Sequence, residues 1–148
     1  MKELIQVPEI KISFSIPNFK DRPKIRCSED IRPIVEPYFK DILVHHEEIW
    51  AVLINNANAV LGVIQLGVGN DISAVVNTKA LYQAMILSNA IGCILVHNHP
   101  SGVTKPSGAD DLTTEKVKKV LNILECRLLD HLIIGFDSEY SYADEGRL

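Results

Sequence analysis

No apolar run in this chain approaches the roughly 20 residues that a bilayer-spanning helix needs. Wholly apolar stretches are short, as at Ile94-Leu95-Val96. The opening Met1-Lys2-Glu3-Leu4 has no apolar segment followed by a small-residue cleavage site, so neither membrane insertion nor secretion is expected. Cysteine is scarce: Cys27, Cys93 and Cys126 are odd in number, far apart and outside any C-x-x-C pair. That excludes a disulfide framework and suits a reducing cytoplasm, with Cys93 expected as a buried thiol inside its apolar run. Only 8 Gly and 7 Pro occur in 148 residues, and no repeat or low-complexity segment is visible. An apolar fraction of 47% then indicates one globular core. There is no basic excess either. The formal net charge is −4, so bulk attraction to nucleic acid is not expected. One local exception is the alternation of Lys20, Arg22, Lys24 and Arg26, which reads as a solvated edge strand.

What the sequence does contain is a regular alternation of element signals. Residues 1–26 read as an N-terminal strand or arm, with alternation at Ile10-Lys11-Ile12-Ser13-Phe14, and residues 27–148 as the domain proper. Ser28-Glu29-Asp30 caps an expected helix to about Phe39, with Ile31, Ile34, Val35 and Tyr38 on its apolar face. Glu48–Ile54 and Ala59–Leu66, joined by an Asn55–Asn58 turn, read as a hairpin of two well-buried strands. Asn77-Thr78 starts a helix carrying Leu81, Ala84, Met85 and Ser88. Gly92–Val96 is a strand that ends at His97. A helix opens at Ser107 with Leu112, Val117, Val120, Leu121 and Leu124 inward, and Leu128–Ile134 is a further strand. This order predicts an α/β fold with a mixed sheet flanked by helices.

The chemistry concentrates in His97-Asn98-His99-Pro100 and the Ser107-Gly108-Ala109-Asp110 that follows. In extended backbone, residues i and i+2 point the same way, so both imidazoles can address one point. Pro100 turns the chain out of a central strand, and the loop returns Asp110 in the first turn of a helix. Two His and one Asp leave a fourth position for water, the mark of a catalytic rather than a structural zinc site. Hydrolysis also requires a proton acceptor beside the metal. Glu47 and Glu48 both begin the first hairpin strand and point to opposite faces, so at most one can serve, and the residues alone leave the choice open. Ser107 and Asp110 equally fit a plain capping arrangement, in competition with a metal role. His45-His46 reads as surface, because adjacent strand residues diverge.

These residues resemble a known family. His97-x-His99-Pro100, six residues, then Ser107-x-x-Asp110 matches the JAMM signature. More narrowly, His97-Asn98-His99-Pro100-Ser101-Gly102 with Pro106, Ser107 and Asp110 resembles the RadC family, often labelled a DNA repair protein. Leu129–Gly135 and Tyr140–Gly146 resemble it as well, and the similarity runs from about Arg22 to the C-terminus. The resemblance implies a JAMM/MPN fold, akin to cytidine deaminases, with zinc held by His97, His99 and Asp110. It implies Ser107 as the group assisting the water or the oxyanion. Ungapped alignment on Ile54-Asn55 selects Glu47 over Glu48 as the base. The implied activity is that of a zinc metalloprotease or isopeptidase acting on a peptide or isopeptide substrate. Many members carry an N-terminal helix-hairpin-helix region, for which the sequence leaves no room, so DNA association is expected to be weaker here. Gly108 stands where the family often has a bulkier or polar residue. The alternative is a non-catalytic module binding DNA or a repair or recombination protein. Nucleobase deamination is set aside, since His-x-Glu and Pro-Cys-x-x-Cys are both missing. Asp130 and His131 are a candidate supporting pair, although His131 reads first as a satisfied core or strand-end residue.

Overall fold

The structure is a computed structural model that describes residues 21–69 and 76–148. The Ile10–Phe14 alternation and Lys20 lie outside the described residues. A short 3₁₀ turn at Ser28–Asp30 leads into α1 (Ile31–Phe39). It is followed by β1 (Glu47–Ile54), β2 (Val60–Gly69), α2 (Thr78–Ser88), β3 (Gly92–Asn98), α3 (Gly108–Ile123), β4 (Arg127–Ile134) and β5 (Glu139–Ser141). The five strands form one sheet in the order β2-β1-β3-β4-β5. All neighbours are antiparallel except β3 and β4, which run parallel around the α3 crossover. This is the expected mixed α/β architecture, consistent with a JAMM/MPN-type fold.

Strand alternation assigns every second residue to one of two apolar layers. Ile49, Ala51 and Leu53 of β1, with Cys93 and Leu95 of β3, meet Leu81 and Met85 of α2 and Val117 and Leu121 of α3. Val52 and Ile54, with Ile94, Val96, Leu132 and Ile134, meet Ile31, Val35 and Phe39 of α1 on the other face. All seven residues of β3 are buried, so the strand that ends in His97 and Asn98 is fully clamped between helices.

Five local points depart from expectation. The second hairpin strand is not well buried: β2 is the outermost strand and is mostly half-buried. On α1 the core residue is Phe39, while Tyr38 lies over Trp50 with ring centroids 4.7 Å apart. On α3, Leu112 is 75% exposed, and the buried positions are Thr114, Val117 and Leu121. Strand β5 was not foreseen. The basic alternation is no strand in its described part; only Lys24 makes an isolated bridge, to Ala59, and Ile25 turns into the core.

Turn chemistry follows the residue types. The Asn55 carboxamide accepts from the N–H groups of Ala57 and Ala59, and Asn58 takes a left-handed φ of 57°. Asn77 caps α2 by accepting from Ala80 N–H, and left-handed Asn89 ends it. No described helix is long and apolar enough to cross a membrane.

Candidate metal centre

Register settles which side chains share a face. Ile49 lies opposite His97 in the antiparallel β1–β3 pair. Two residues further along, the same register sets Glu47 opposite His99. Glu47, Ile49, His97 and Leu95 therefore occupy the α2/α3 face, and Glu48 and Asn98 the α1 face. At the end of β3, His99 donates its N–H to the Ile134 carbonyl of β4, and the chain then leaves the sheet at Pro100. The loop is folded tightly against the β4–β5 turn: a Cβ on Gly135 would lie 2.7 Å from the Gly102 carbonyl oxygen. Gly102 itself has φ 77°, a left-handed conformation that favours glycine. The loop delivers Ser107 as the N-cap of α3, which places Asp110 at the third helical position.

Four donor groups converge. His97 Nε2 lies 2.9 Å from His99 Nε2 and 3.1 Å from Asp110 Oδ1. His99 Nε2 lies 3.5 Å from Asp110 Oδ2 and 3.7 Å from Glu47 Oε1. Ligating atoms of Glu47, His97 and His99 all fall within 4.8 Å of one another. The arrangement fits a divalent cation. Tetrahedral zinc with bonds of about 2.0–2.1 Å sets its ligand atoms about 3.3–3.4 Å apart, and the separations among His97, His99 and Asp110 bracket that value. Capping by Asp110 does not preclude a ligand role. Oδ2 accepts from Ser107 N–H at 2.6 Å and from the Ser107 hydroxyl at 2.7 Å, while Oδ1 faces His97.

The electrostatics are those of a cation trap. Burial alone would raise the Asp110 carboxyl, yet hydrogen bonds from His97 and His99 hold it well below the usual carboxylate range. The same carboxylate holds the His99 imidazole above its ordinary value against the opposing effect of burial. Among the described residues, the ion-pair partners of both acids are imidazoles, with no Lys or Arg beside them.

Each ring is oriented from behind. His99 Nδ1 lies 2.6 Å from the Val103 carbonyl oxygen. A carbonyl only accepts, so Nδ1 carries the proton and Nε2 of the neutral ring is left bare toward the cluster. His97 Nδ1 lies 2.8 Å from His131 Nε2, and His131 Nδ1 lies 2.7 Å from Thr114 Oγ1. Burial holds the His131 imidazole well below its ordinary value. Asn98, between the two histidines, points the other way. It accepts from Glu48 N–H and donates to the Leu43 and His46 carbonyls, anchoring the segment that enters β1.

The remaining candidates separate cleanly. Glu48 is buried on the α1 face, where its carboxylate accepts from Trp50 Nε1 at 2.9 Å and Gln65 Nε2 at 2.6 Å, with His46 Nε2 at 2.9 Å. Asp130 and His131 do not form a side-chain pair. Asp130 accepts from Ser141 Oγ and from Ala143 and His131 N–H, fastening the C-terminal segment, while His131 turns to His97. Sequence reasoning missed Thr114. Its one signal is a threonine four residues after Asp110, on the same helix face.

A family model for the RadC-like JAB domain matches residues 25–147. The chain belongs to the RadC-like JAB domain family. It is 39% identical over 123 residues to a UPF0758 protein of Flavobacterium johnsoniae, covering 83% of this chain and 53% of that protein. It is 32% identical over 151 aligned residues to a UPF0758 protein of Porphyromonas gingivalis, covering 99% of this chain and 65% of that one. A third, from Coprothermobacter proteolyticus, is 31% identical over 127 residues, covering 84% of this chain and 54% of the relative. This RadC-like chain thus spans roughly half to two thirds of the length of the curated relatives it matches.

Proposed function

We propose that this domain is a zinc-dependent hydrolase of amide bonds, a metallopeptidase or isopeptidase. The observation that carries the proposal is the convergence of His97, His99 and Asp110 beside Glu47 at the carboxyl end of β3. The three would hold the ion, and Glu47 stands next to them as the proton carrier. A zinc ion held there supplies a water acidified toward neutral pH and a positive charge that polarises the scissile carbonyl. Glu47, 3.7 Å from His99 and not engaged by the cap, accepts the proton of the attacking water at a carboxylate oxygen. It then returns that proton to the leaving nitrogen, so the C–N bond breaks to a carboxylic acid and a neutral amine. The Ser107 hydroxyl, whose proton rests on Asp110 Oδ2, rotates to donate to the developing oxyanion.

The test takes two measurements. Elemental analysis of protein purified without chelator is expected to give about one zinc per chain. Glu47→Gln is expected to keep that zinc while lowering turnover of fluorogenic peptide and isopeptide amides by about 10²- to 10⁴-fold. Metal-free protein, or undiminished turnover by the Gln variant, overturns the reading.

A further inference from the structure

Hydrogen-bond accounting behind His97 starts from one acceptor, the Asp110 carbonyl. Thr114 Oγ1 lies 2.7 Å from the Asp110 carbonyl oxygen and 2.7 Å from His131 Nδ1. A hydroxyl has one proton, and the carbonyl can only accept it. Thr114 therefore offers a lone pair to His131, and Nδ1 of His131 carries the hydrogen. Neutral His131 then has no proton on Nε2, which accepts from Nδ1–H of His97 at 2.8 Å. The chain ends at His97 Nε2, whose lone pair is directed at Asp110 Oδ1, 3.1 Å away, where a cation or a proton balances the carboxylate. It closes a ring through three elements: Asp110 and Thr114 of α3, His131 of β4 and His97 of β3. We infer that Thr114 and His131 are positioning residues, which hold His97 in its Nδ1–H tautomer and so present Nε2 as a metal ligand.

Reversal of the chain shows why the hydroxyl matters. If Thr114 gave its proton to His131, Nε2–H of His131 would donate to His97 Nδ1. His97 would then be protonated at Nε2 and could not bind a cation there. The Asp110 carbonyl, which can only accept, favours the first direction, while the Asp110 carboxylate, 3.1 Å from His97 Nε2, draws a proton to that nitrogen until a cation takes its place. Water cannot substitute, because His131 is fully buried and Thr114 is 4% exposed. The His131 ring is held flat against Tyr142, with centroids 5.0 Å apart and planes 10° apart, so it does not swing to another partner. Groups that orient a ligating histidine in this way typically set metal affinity by about 10–100-fold.

This inference rests on the metal-centre reading for its affinity consequence, but not for the tautomer. The experiment compares the full chain with Thr114→Val, which keeps shape and loses the hydroxyl, and with Thr114→Ser, which keeps the hydroxyl. Zinc affinity is read by competition with a chromophoric chelator. Imidazole ¹⁵N spectra of the metal-free proteins report the tautomer of His97. The expected results are a loss of affinity of about 10–100-fold in the Val variant, recovery in the Ser variant, and protonated Nδ1 on His97 in the wild type. Wild-type affinity in a folded Val variant, or an unprotonated Nδ1 on His97 in the wild type, overturns the inference. If the Val variant does not fold, Thr114→Ser and the wild-type spectrum decide. If the wild type takes up no zinc, the proposed function falls, while the wild-type tautomer still tests this chain of bonds.

Discussion

Glu47 and Glu48 are adjacent, chemically identical and on opposite faces of β1, so they offer a paired experiment with opposite expected outcomes. Glu48 is 8% exposed and accepts three hydrogen bonds, from Trp50, Gln65 and His46. Glu48→Ala removes the acceptor from all three. Gln65 is exposed and His46 half-buried, so both can turn to water, but the half-buried indole N–H of Trp50 loses its partner inside the α1 layer. Stranding one such donor costs about 1–3 kcal/mol, and in a chain of this size each kcal/mol moves the melting temperature by about 3–4 °C. Glu48→Ala is thus expected to melt about 3–12 °C lower than wild type. It should keep its metal and its turnover, since only the backbone N–H of Glu48 reaches Asn98 and the strand register. Among the described residues, the ion-pair partner of Glu47 is His99, at 3.7 Å. Glu47→Gln should leave the metal-free melting temperature within what about 0.5 kcal/mol allows and abolish hydrolysis. Melting curves by circular dichroism and amide-cleavage rates on both variants test the pair. Turnover lost with Glu48 and kept with Glu47 would refute the face assignment on which the site depends.

Asp110→Asn separates cap from ligand: the amide oxygen can still accept from Ser107 N–H, so the fold should persist, whereas metal content should drop to background by elemental analysis. Gly135→Ala puts a Cβ 2.7 Å from the Gly102 carbonyl, so the loop carrying His99 must move. A stability loss of about 1–3 kcal/mol and weaker zinc binding in a chelator competition are expected together. Burial raises the Cys93 thiol well above its ordinary range, so in alkali the unfolded chain ionises there while the folded chain does not. Stability from this group is level below about pH 8.5 and falls above it. Cys93→Ala should flatten the alkaline limb of urea-derived stability by about 1.4 kcal/mol per pH unit, and an unchanged slope would refute the burial argument.

Much of this arrangement is legible in the residue order because spacing constrains direction. His97 and His99 at i and i+2, at the end of an apolar strand, had to share a face, and the structure sets their Nε2 atoms 2.9 Å apart. The proline exit and the Ser107 cap returned Asp110 to the same place. What spacing does not carry is register between strands. Alternation says that Glu47 and Glu48 differ in face, but only the pairing of Ile49 with His97 says which one joins the histidines. The inward face of α3 was misread for a related reason. Leu112 has the hydrophobic side chain, but the helix is rotated so that Asp110 and Thr114 face the β3–β4 seam, and polar Thr114 takes the buried position. A pattern read by hydrophobicity alone passes over a buried hydroxyl that is fully hydrogen-bonded. Likewise β2, although rich in Val, Leu and Ile, lies at the sheet edge, and nothing in its composition distinguishes an edge from a centre.

Burial explains why the centre sits at this end of the sheet. β3 is the central strand of the sheet, antiparallel to β1 on one side and parallel to β4 on the other. Its carboxyl end therefore lies beside the beginning of β1, the end of β4 and, after the crossover, the amino end of α3. Three of these four element ends each bring one kind of group: an acid that starts β1, imidazoles that finish β3, and a carboxylate in the first turn of α3, where the helix dipole favours negative charge. The apolar layers beneath hold these positions without contributing a charge of their own. Among the described residues the two acids are compensated only by imidazoles, so a proton or a cation must balance them. That unbalanced negative charge, carried on a rigid frame, is the physical reason to look for metal here before looking for any substrate.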